Sequence, residues 1–187
     1  MSEHTKPGEG QTFTPEEIFN NIASHIDVWL GDLTSLTYEE ICKKPSPNAW
    51  CLGQVLNHLL GESGHYLKQI EICLSNIENA DLKMSPDAET MFENNSFPDI
   101  KIEGPPSNQD TKVPDDLLSV RSALVSLRES FGIIAIKISE AQTSGKTQHP
   151  GLQYFNAQEW LQFSEMHFRH HLKQRAEIKT ILSLGGS

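Results

Sequence analysis

The chain has 187 residues, of which 37% are hydrophobic and 21% are charged, and these values are typical of a globular protein with a substantial core. Its formal net charge of -10 argues against nucleic acid as a partner, because phosphate backbones repel a strongly acidic protein. No apolar run approaches the roughly 20 residues that span a bilayer, and the polar start MSEHTKPGEG lacks the apolar core of a signal peptide, so we expect a cytoplasmic protein with no membrane partner.

The first predicted helix has a strong start signal. Thr14 is a good N-cap, Pro15 suits the first helical position, and Glu17 closes a capping box. Apolar residues then recur every three or four positions as far as about Leu36, which indicates a helix with one buried face.

A second helix is predicted after the segment KKPSPN, whose two prolines prevent a continuous helix. It runs from about Leu52 to Ile77, where the apolar residues form one broad stripe. Residues 80–114 contain five prolines and no sustained period, so we predict a long connection. Connections of this length are uncommon and are often functional.

The third helix is predicted to open after Pro114, with Asp115 and Asp116 in its first turn, and to continue through Ile138. The β-branched stretch FGIIAIKI resembles a strand, but it keeps the helical period of the residues before it. We therefore assign it to the helix.

The fourth helix is predicted to follow a loop at residues 143–151. Asn156 is its N-cap, Glu159 completes a capping box, and the helix extends to about Leu182 before two glycines. Basic residues on this helix are interpreted as a solvated face; these are Arg169, Lys173 and Arg175.

Four long amphipathic helices without a convincing strand predict an all-α four-helix bundle. We expect a flexible tail at residues 1–12 and one bundle domain at residues 13–184, with the long connection between its second and third helices.

Two histidines on the fourth helix suggest a metal site. His167 and His171 are four residues apart and share a helix face with Trp160, so both imidazoles can reach one ion. Phe168 occupies the position where a thermolysin-like protease needs glutamate, which excludes that class. An HxxxH pair alone is a weak signal, and a third ligand is required. His58 is the natural candidate, because it lies midway along the second helix and faces the same interior.

Other histidines leave alternatives open. His65 lies seven residues beyond His58 and could line the same pocket, and His170 competes with His171 as a ligand. The remaining three are predicted to be solvated; these are His4, His25 and His149. The cysteines Cys42, Cys51 and Cys73 lack ligand spacing, and we expect them to be inert or partly buried thiols, with Cys51 the most reactive candidate because it lies at a helix start.

Two segments carry a resemblance to a known family. NAWCLGQVLNH at Asn48–His58, and HPGLQYFNAQEWLQFSEMHFRHHLKQ at His149–Gln174, resemble the DinB/YfiT-like superfamily of metal-binding four-helix bundles. The likeness extends from about Ile18 to Leu182. Cys51 departs from the Ser or Thr that usually caps the second helix of this family.

The resemblance implies that His58, His167 and His171 are the three metal ligands and that Gln174 is the family's trailing glutamine. Three neutral imidazoles leave a divalent ion at least one open position. Zn or Ni is preferred as the metal, with Mn or Fe as alternatives. Glu62 lies one turn from His58 and could orient a ligand or accept a proton, although a structural carboxylate is an equal alternative.

The resemblance implies two enzymatic hypotheses for a small-molecule substrate. One is a thiol-dependent transferase or isomerase, in which a metal-bound thiolate of a low-molecular-weight thiol attacks an electrophile. The other is a metal-dependent hydrolase. A non-catalytic alternative is a metal-binding stress-response or interaction module, and a homodimer is expected. Metal affinity should fall on acidification near the ordinary imidazole pKa of about 6.5.

Overall fold

The structure, a computed structural model, describes residues 13–98 and 110–183, so the predicted tail at residues 1–12 lies outside the described residues. The described part contains six helices and two short strands. In chain order they are α1 (Pro15–Ser35), α2 (Tyr38–Cys42), α3 (Leu52–Ser75), α4 (Pro86–Glu93), α5 (Leu117–Glu140), β1 (Thr147–His149), β2 (Gln153–Phe155) and α6 (Ala157–Leu182).

The four long helices form the predicted bundle, and the all-α fold is confirmed. Helices α1 and α3 lie diagonally opposite each other, and each packs between α5 and α6. The connection between α1 and α3, which contains α2, therefore spans the diagonal of the bundle. None of the helices within residues 13–98 and 110–183 is both long and apolar enough to cross a membrane.

The helix starts follow the capping signals in the sequence. The Glu17 N–H donates to Thr14 Oγ1 at 3.2 Å, and the Glu17 carboxylate accepts the Thr14 N–H at 2.8 Å. Asn156 and Glu159 make the same reciprocal pair at the start of α6, at 2.9 Å and 2.7 Å. These bonds satisfy amides that the first helical turn leaves unpaired, so both boundaries are well specified.

Helix α5 starts later than predicted. Asp116 is its N-cap rather than a first-turn residue, because its carboxylate accepts the Ser119 N–H at 2.8 Å and the Ser119 hydroxyl at 2.7 Å. The long connection also contains α4, which the sequence prediction omitted. Ser85 caps this helix and Pro86 begins it, so its start carries the same N-cap and proline signals as α1.

The predicted loop before α6 contains a small antiparallel hairpin, which corrects the expectation of no strand. Thr147 pairs with Phe155 and His149 pairs with Gln153. Gly151 turns the chain with a φ of 91°, a left-handed conformation that glycine adopts without strain. The hairpin is held against α6 because the Trp160 indole N–H donates to Thr147 Oγ1 at 2.7 Å.

Candidate metal centre

Three imidazole rings meet between α3 and α6. His167 Nε2 lies 3.2 Å from His58 Nε2 and 3.0 Å from His171 Nε2. One nitrogen from each ring lies within 4.8 Å of the other two, and these three residues form a group that could hold a metal ion. The structure therefore brings together the three histidines that the sequence singled out.

Helix geometry explains this convergence. His167 and His171 are one turn apart on the inward face of α6, and they are 8% and 6% exposed. His58 is half-buried on α3, which packs beside α6 over much of its length. Each ring thus has its backbone on a rigid helix, which favours a fixed arrangement of the three nitrogens.

Burial keeps these imidazoles neutral. It lowers the pKa of His171 to about 3 and lowers the pKa of His167 well below its ordinary value, and the neighbouring histidines add to both effects. The pKa of His58 is also lowered by burial, although the negative charge of Glu62 opposes this change. Neutral imidazole is the form that coordinates metal, so the site is ready to bind an ion at neutral pH.

The proton position on one ring can be assigned from its neighbour. His171 Nδ1 lies 2.7 Å from Gln174 Oε1, and an amide oxygen only accepts hydrogen bonds, so Nδ1 carries the proton. The lone pair of His171 is then on Nε2, which faces the other two rings. Gln174 therefore fixes the orientation of the His171 ring, in the way that a hydrogen-bond partner usually orients a metal-binding histidine.

The donor set fits a divalent ion. His167 Nε2 lies within hydrogen-bond distance of two other ring nitrogens, but a single ring N–H cannot satisfy both. Three lone pairs directed at one cation would satisfy all of them, and tetrahedral Zn–N bonds of roughly 2.0–2.1 Å place ligand nitrogens about 3.3 Å apart. The observed separations of 3.0 Å and 3.2 Å are close to that value.

Aromatic side chains surround the three histidines. The Trp50 ring centroid lies 5.1 Å from that of His58, and Tyr66 lies 5.7 Å from His167. The ring centroid of Phe97, which follows α4, lies 6.2 Å from that of His167. These rings limit the access of water and strengthen electrostatic interactions inside the site.

Glu62 is half-buried one turn along α3 from His58. Its charge acts on His58, and it also contributes to the raised pKa of Tyr66, for which burial is the larger cause. The carboxylate is therefore close to both the histidine group and a buried phenol. That Glu62 belongs to the site, and its role there, stay predictions.

The alternative ligands lie outside the histidine group. His65 is exposed and packs its ring against Trp160 at 6.0 Å, and His170 is exposed beside His171, with ring centroids 5.1 Å apart. Neither is among the three residues that could share an ion. His65 lies about two helical turns, roughly 10 Å, along α3 from His58, and His170 is rotated by about 100° around α6 from His171.

Two histidines expected in solvent are partly buried. His25 Nε2 lies 3.0 Å from Glu165 Oε1, and His149 packs against Trp160 and Phe163 at 5.4 Å and 5.0 Å. The prediction of solvated side chains was wrong for both, because the hairpin and the α1–α6 packing are long-range features. His4 lies outside the described residues.

The basic face predicted on α6 is not simply solvated. Arg169 is half-buried and donates to Glu165, and Arg175 pairs with the buried Asp32 of α1. The spacing of four residues between Glu165 and Arg169 was a readable signal for the first pair. The partner of Arg175 is 143 residues away in sequence and had no local signal.

The cysteines agree with the expectation of unreactive thiols. Cys51 and Cys73 are buried and Cys42 is half-buried. Burial raises the pKa of Cys42 and Cys73, which favours the thiol over the reactive thiolate. Cys51 is buried at the start of α3, where its N–H donates to Gln54 Oε1 at 3.2 Å.

The lowered pKa values predict an acid-sensitive fold. Below a pH of about 6.5 the histidines of the unfolded chain take up protons, while His167 and His171 stay neutral in the folded protein. Their contribution to the free energy of unfolding is therefore fully present above this pH and is lost as the pH falls. Each ring adds a slope of up to about 1.4 kcal/mol per pH unit. We expect urea unfolding of the metal-free protein between about pH 7 and pH 4 to show this slope, and a smaller one in His171→Gln. An equal slope in both proteins would contradict the assignment.

The same lowered pKa values bear on the pH dependence of metal binding. That affinity falls on acidification stays a prediction, and an ordinary imidazole has a pKa of about 6.5. Because burial lowers the pKa of all three rings, protons compete with the metal only at lower pH.

Comparison with known proteins supports the fold. No model of a known protein family matches the chain. The uncharacterized protein YuaE of Bacillus subtilis (strain 168) is 25% identical over 177 residues, which cover 87% of this chain and 95% of YuaE. The solved structure of YfiT from Bacillus subtilis, described as a probable metal-dependent hydrolase with an unusual four-helix bundle topology, matches with a TM-score of 0.64 over 97% of this chain and 95% of YfiT, at 13% identity. The match to YfiT shows that the two chains share a four-helix-bundle fold.

Proposed function

We propose that this protein is a metal-dependent hydrolase that acts on a small molecule. The observation that carries the proposal is the convergence of three neutral imidazoles, two buried and one half-buried, near the Glu62 carboxylate. Among the described residues, neither a carboxylate nor a cysteine belongs to the group that could hold the ion. The description of YfiT as a probable metal-dependent hydrolase supports the choice of reaction.

The number of ligands favours catalysis over a structural role. Structural zinc sites are closed by four protein ligands, whereas catalytic sites use three and leave a position for water or substrate. His58, His167 and His171 would hold the ion. A divalent ion held there would act as a Lewis acid and would lower the pKa of bound water.

The chain supplies groups that can move or hold a proton near the ion. The Glu62 carboxylate can accept the proton of the attacking nucleophile, because it faces the same side of α3 as His58. Burial and the charge of Glu62 raise the pKa of Tyr66, so its hydroxyl stays protonated and can donate a hydrogen bond. We propose Glu62 as the general base and Tyr66 as its neighbouring donor.

The remaining sequence predictions stay proposals. They comprise Zn or Ni as the ion, a low-molecular-weight thiol as a cosubstrate in the transferase hypothesis, a homodimeric state and a cytoplasmic location. None of them changes the residues that would hold the metal.

The role of Glu62 can be tested by Glu62→Gln, which keeps the shape of the side chain and removes its basicity. We expect turnover of the metal-loaded protein on a panel of small esters and amides to fall by about 10²- to 10⁴-fold, the usual contribution of a general base. Metal stoichiometry should stay unchanged, because Glu62 is outside the ligand group. The matched control is Glu71→Gln, which changes an exposed carboxylate further along α3.

The outcomes separate the competing hypotheses. Ester or amide hydrolysis that needs both metal and Glu62 supports the proposal. Activity that appears only when a small thiol and an electrophile are supplied would support the transferase instead. Full metal binding without turnover in either assay would favour the non-catalytic module.

A further inference from the structure

A short turn after α4, residues 95–97, is attached directly to the helix that carries two of the candidate ligands. Arg169 Nη2 of α6 donates to the Asn95 carbonyl oxygen at 2.7 Å, and Gln162 Nε2 donates to Asn95 Oδ1 at 3.1 Å. Asn95 has a φ of 44°, a left-handed conformation that Asn tolerates better than most residues. Two side chains of α6 therefore hold one residue of the turn.

The attached turn places Phe97 against the three-histidine centre. Its ring centroid lies 6.2 Å from that of His167 and 5.6 Å from that of His170. Phe163 lies behind it at 5.2 Å. Phe97 is only half-buried, so it forms an outer wall of the centre rather than part of the bundle core.

Arg169 is itself held in place by a buried acid. The Glu165 carboxylate, 4% exposed, accepts from Arg169 Nε at 2.9 Å and from Nη2 at 2.8 Å. His25 of α1 contacts the same carboxylate at 3.0 Å. Because the two contacts with Glu165 already fix the guanidinium, Arg169 loses little additional side-chain conformational entropy when it binds the Asn95 carbonyl.

We propose that Arg169 is a positioning residue that holds the turn at residues 95–97 on α6, so that Phe97 covers His167 and restricts access to the three-histidine centre. Arg169 then acts through Phe97 rather than by touching any of the three rings. The covering of His167 is independent of any ion, while its consequence for metal and substrate access rests on the proposed function.

The covering can be tested on the metal-free protein with diethyl pyrocarbonate, which modifies accessible neutral imidazoles, followed by peptide mass spectrometry. We expect Phe97→Ala and Arg169→Gln each to raise the modification rate of His167 several-fold, because each variant would leave the His167 ring less covered. The control Arg128→Gln, which removes an exposed arginine paired with Asp27 on α1, should match the wild type.

A double variant tests whether Arg169 acts through Phe97. If it does, Phe97→Ala with Arg169→Gln should equal Phe97→Ala alone, whereas independent effects would multiply. Gln162→Ala provides a second anchor variant that leaves Glu165 paired, and we expect a smaller increase in the same direction. If Arg169→Gln does not fold, the modification rate of His167 in Gln162→Ala tests the proposal in its place.

Release of Co²⁺ or Zn²⁺ to an excess chelator gives the matching measurement for the metal-loaded protein. We expect faster release in the same variants.

Wild-type modification rates at His167 in both Phe97→Ala and Gln162→Ala would overturn the proposal, and so would effects that multiply in the double variant. Faster modification in a protein that binds no metal would uphold the covering and reject the proposed function.

Discussion

We expect His58→Ala, His167→Ala and His171→Ala each to remove stoichiometric metal binding. Each substitution deletes one of three ligands, and the two that remain cannot enclose the ion. Loss of an outer partner typically costs 10- to 100-fold in affinity, so loss of a ligand should weaken binding by more than about 100-fold. Calorimetric titration of metal-free protein with Zn²⁺ measures this change.

Neighbouring histidines provide the matched controls for this experiment. His65→Ala, His149→Ala and His170→Ala should retain the wild-type stoichiometry, because none of these rings belongs to the group that could share an ion. Full binding by any of the three ligand variants would remove that residue from the site. His170 would then be the first replacement to test, since its ring lies next to that of His171.

The second large effect is expected at a buried ion cluster between α1 and α6. Asp32 is 2% exposed and accepts hydrogen bonds from Arg175 Nη2 at 2.6 Å and from Lys179 Nζ at 2.7 Å, and Arg175 Nε contacts it as well. The guanidinium also lies over the Trp29 ring at 5.9 Å. Removing both cations would leave a buried carboxylate without a counter-charge, a change that costs about 3–5 kcal/mol.

We therefore expect Arg175→Met with Lys179→Met to lower the free energy of unfolding by about 3–5 kcal/mol in urea titration. Adding Asp32→Asn to this variant should restore much of the loss, since it removes the unpaired charge and keeps the side-chain shape. A loss that persists after Asp32→Asn would show that packing of the two long side chains, rather than the buried charge, is the cause.

The candidate ligands could be found from the sequence because their placement depends on helical periodicity. His167 and His171 share a face of α6, and the apolar stripe around His58 orients that residue toward the same interior. Capping residues such as Thr14 and Asn156 fixed two helix starts correctly for the same reason. Each of these signals lies within a few residues of the feature that it specifies.

Features that depend on long-range contacts could not be found in this way. Asp32 and Arg175 are far apart in the chain, and Phe97 reaches His167 only because Arg169 binds the Asn95 carbonyl. A backbone carbonyl has no sequence signature at all. The hairpin at residues 147–155 was missed because its strands are only three residues long, too short for an alternating pattern to appear.

Anomalous diffraction from crystals of the zinc-loaded protein would locate the ion relative to the three histidines. We expect one strong peak per chain, within bonding distance, roughly 2.0–2.1 Å, of a ring nitrogen from each of His58, His167 and His171. A peak that lacks any of these three contacts, or a protein that takes up no zinc at neutral pH, would contradict this expectation.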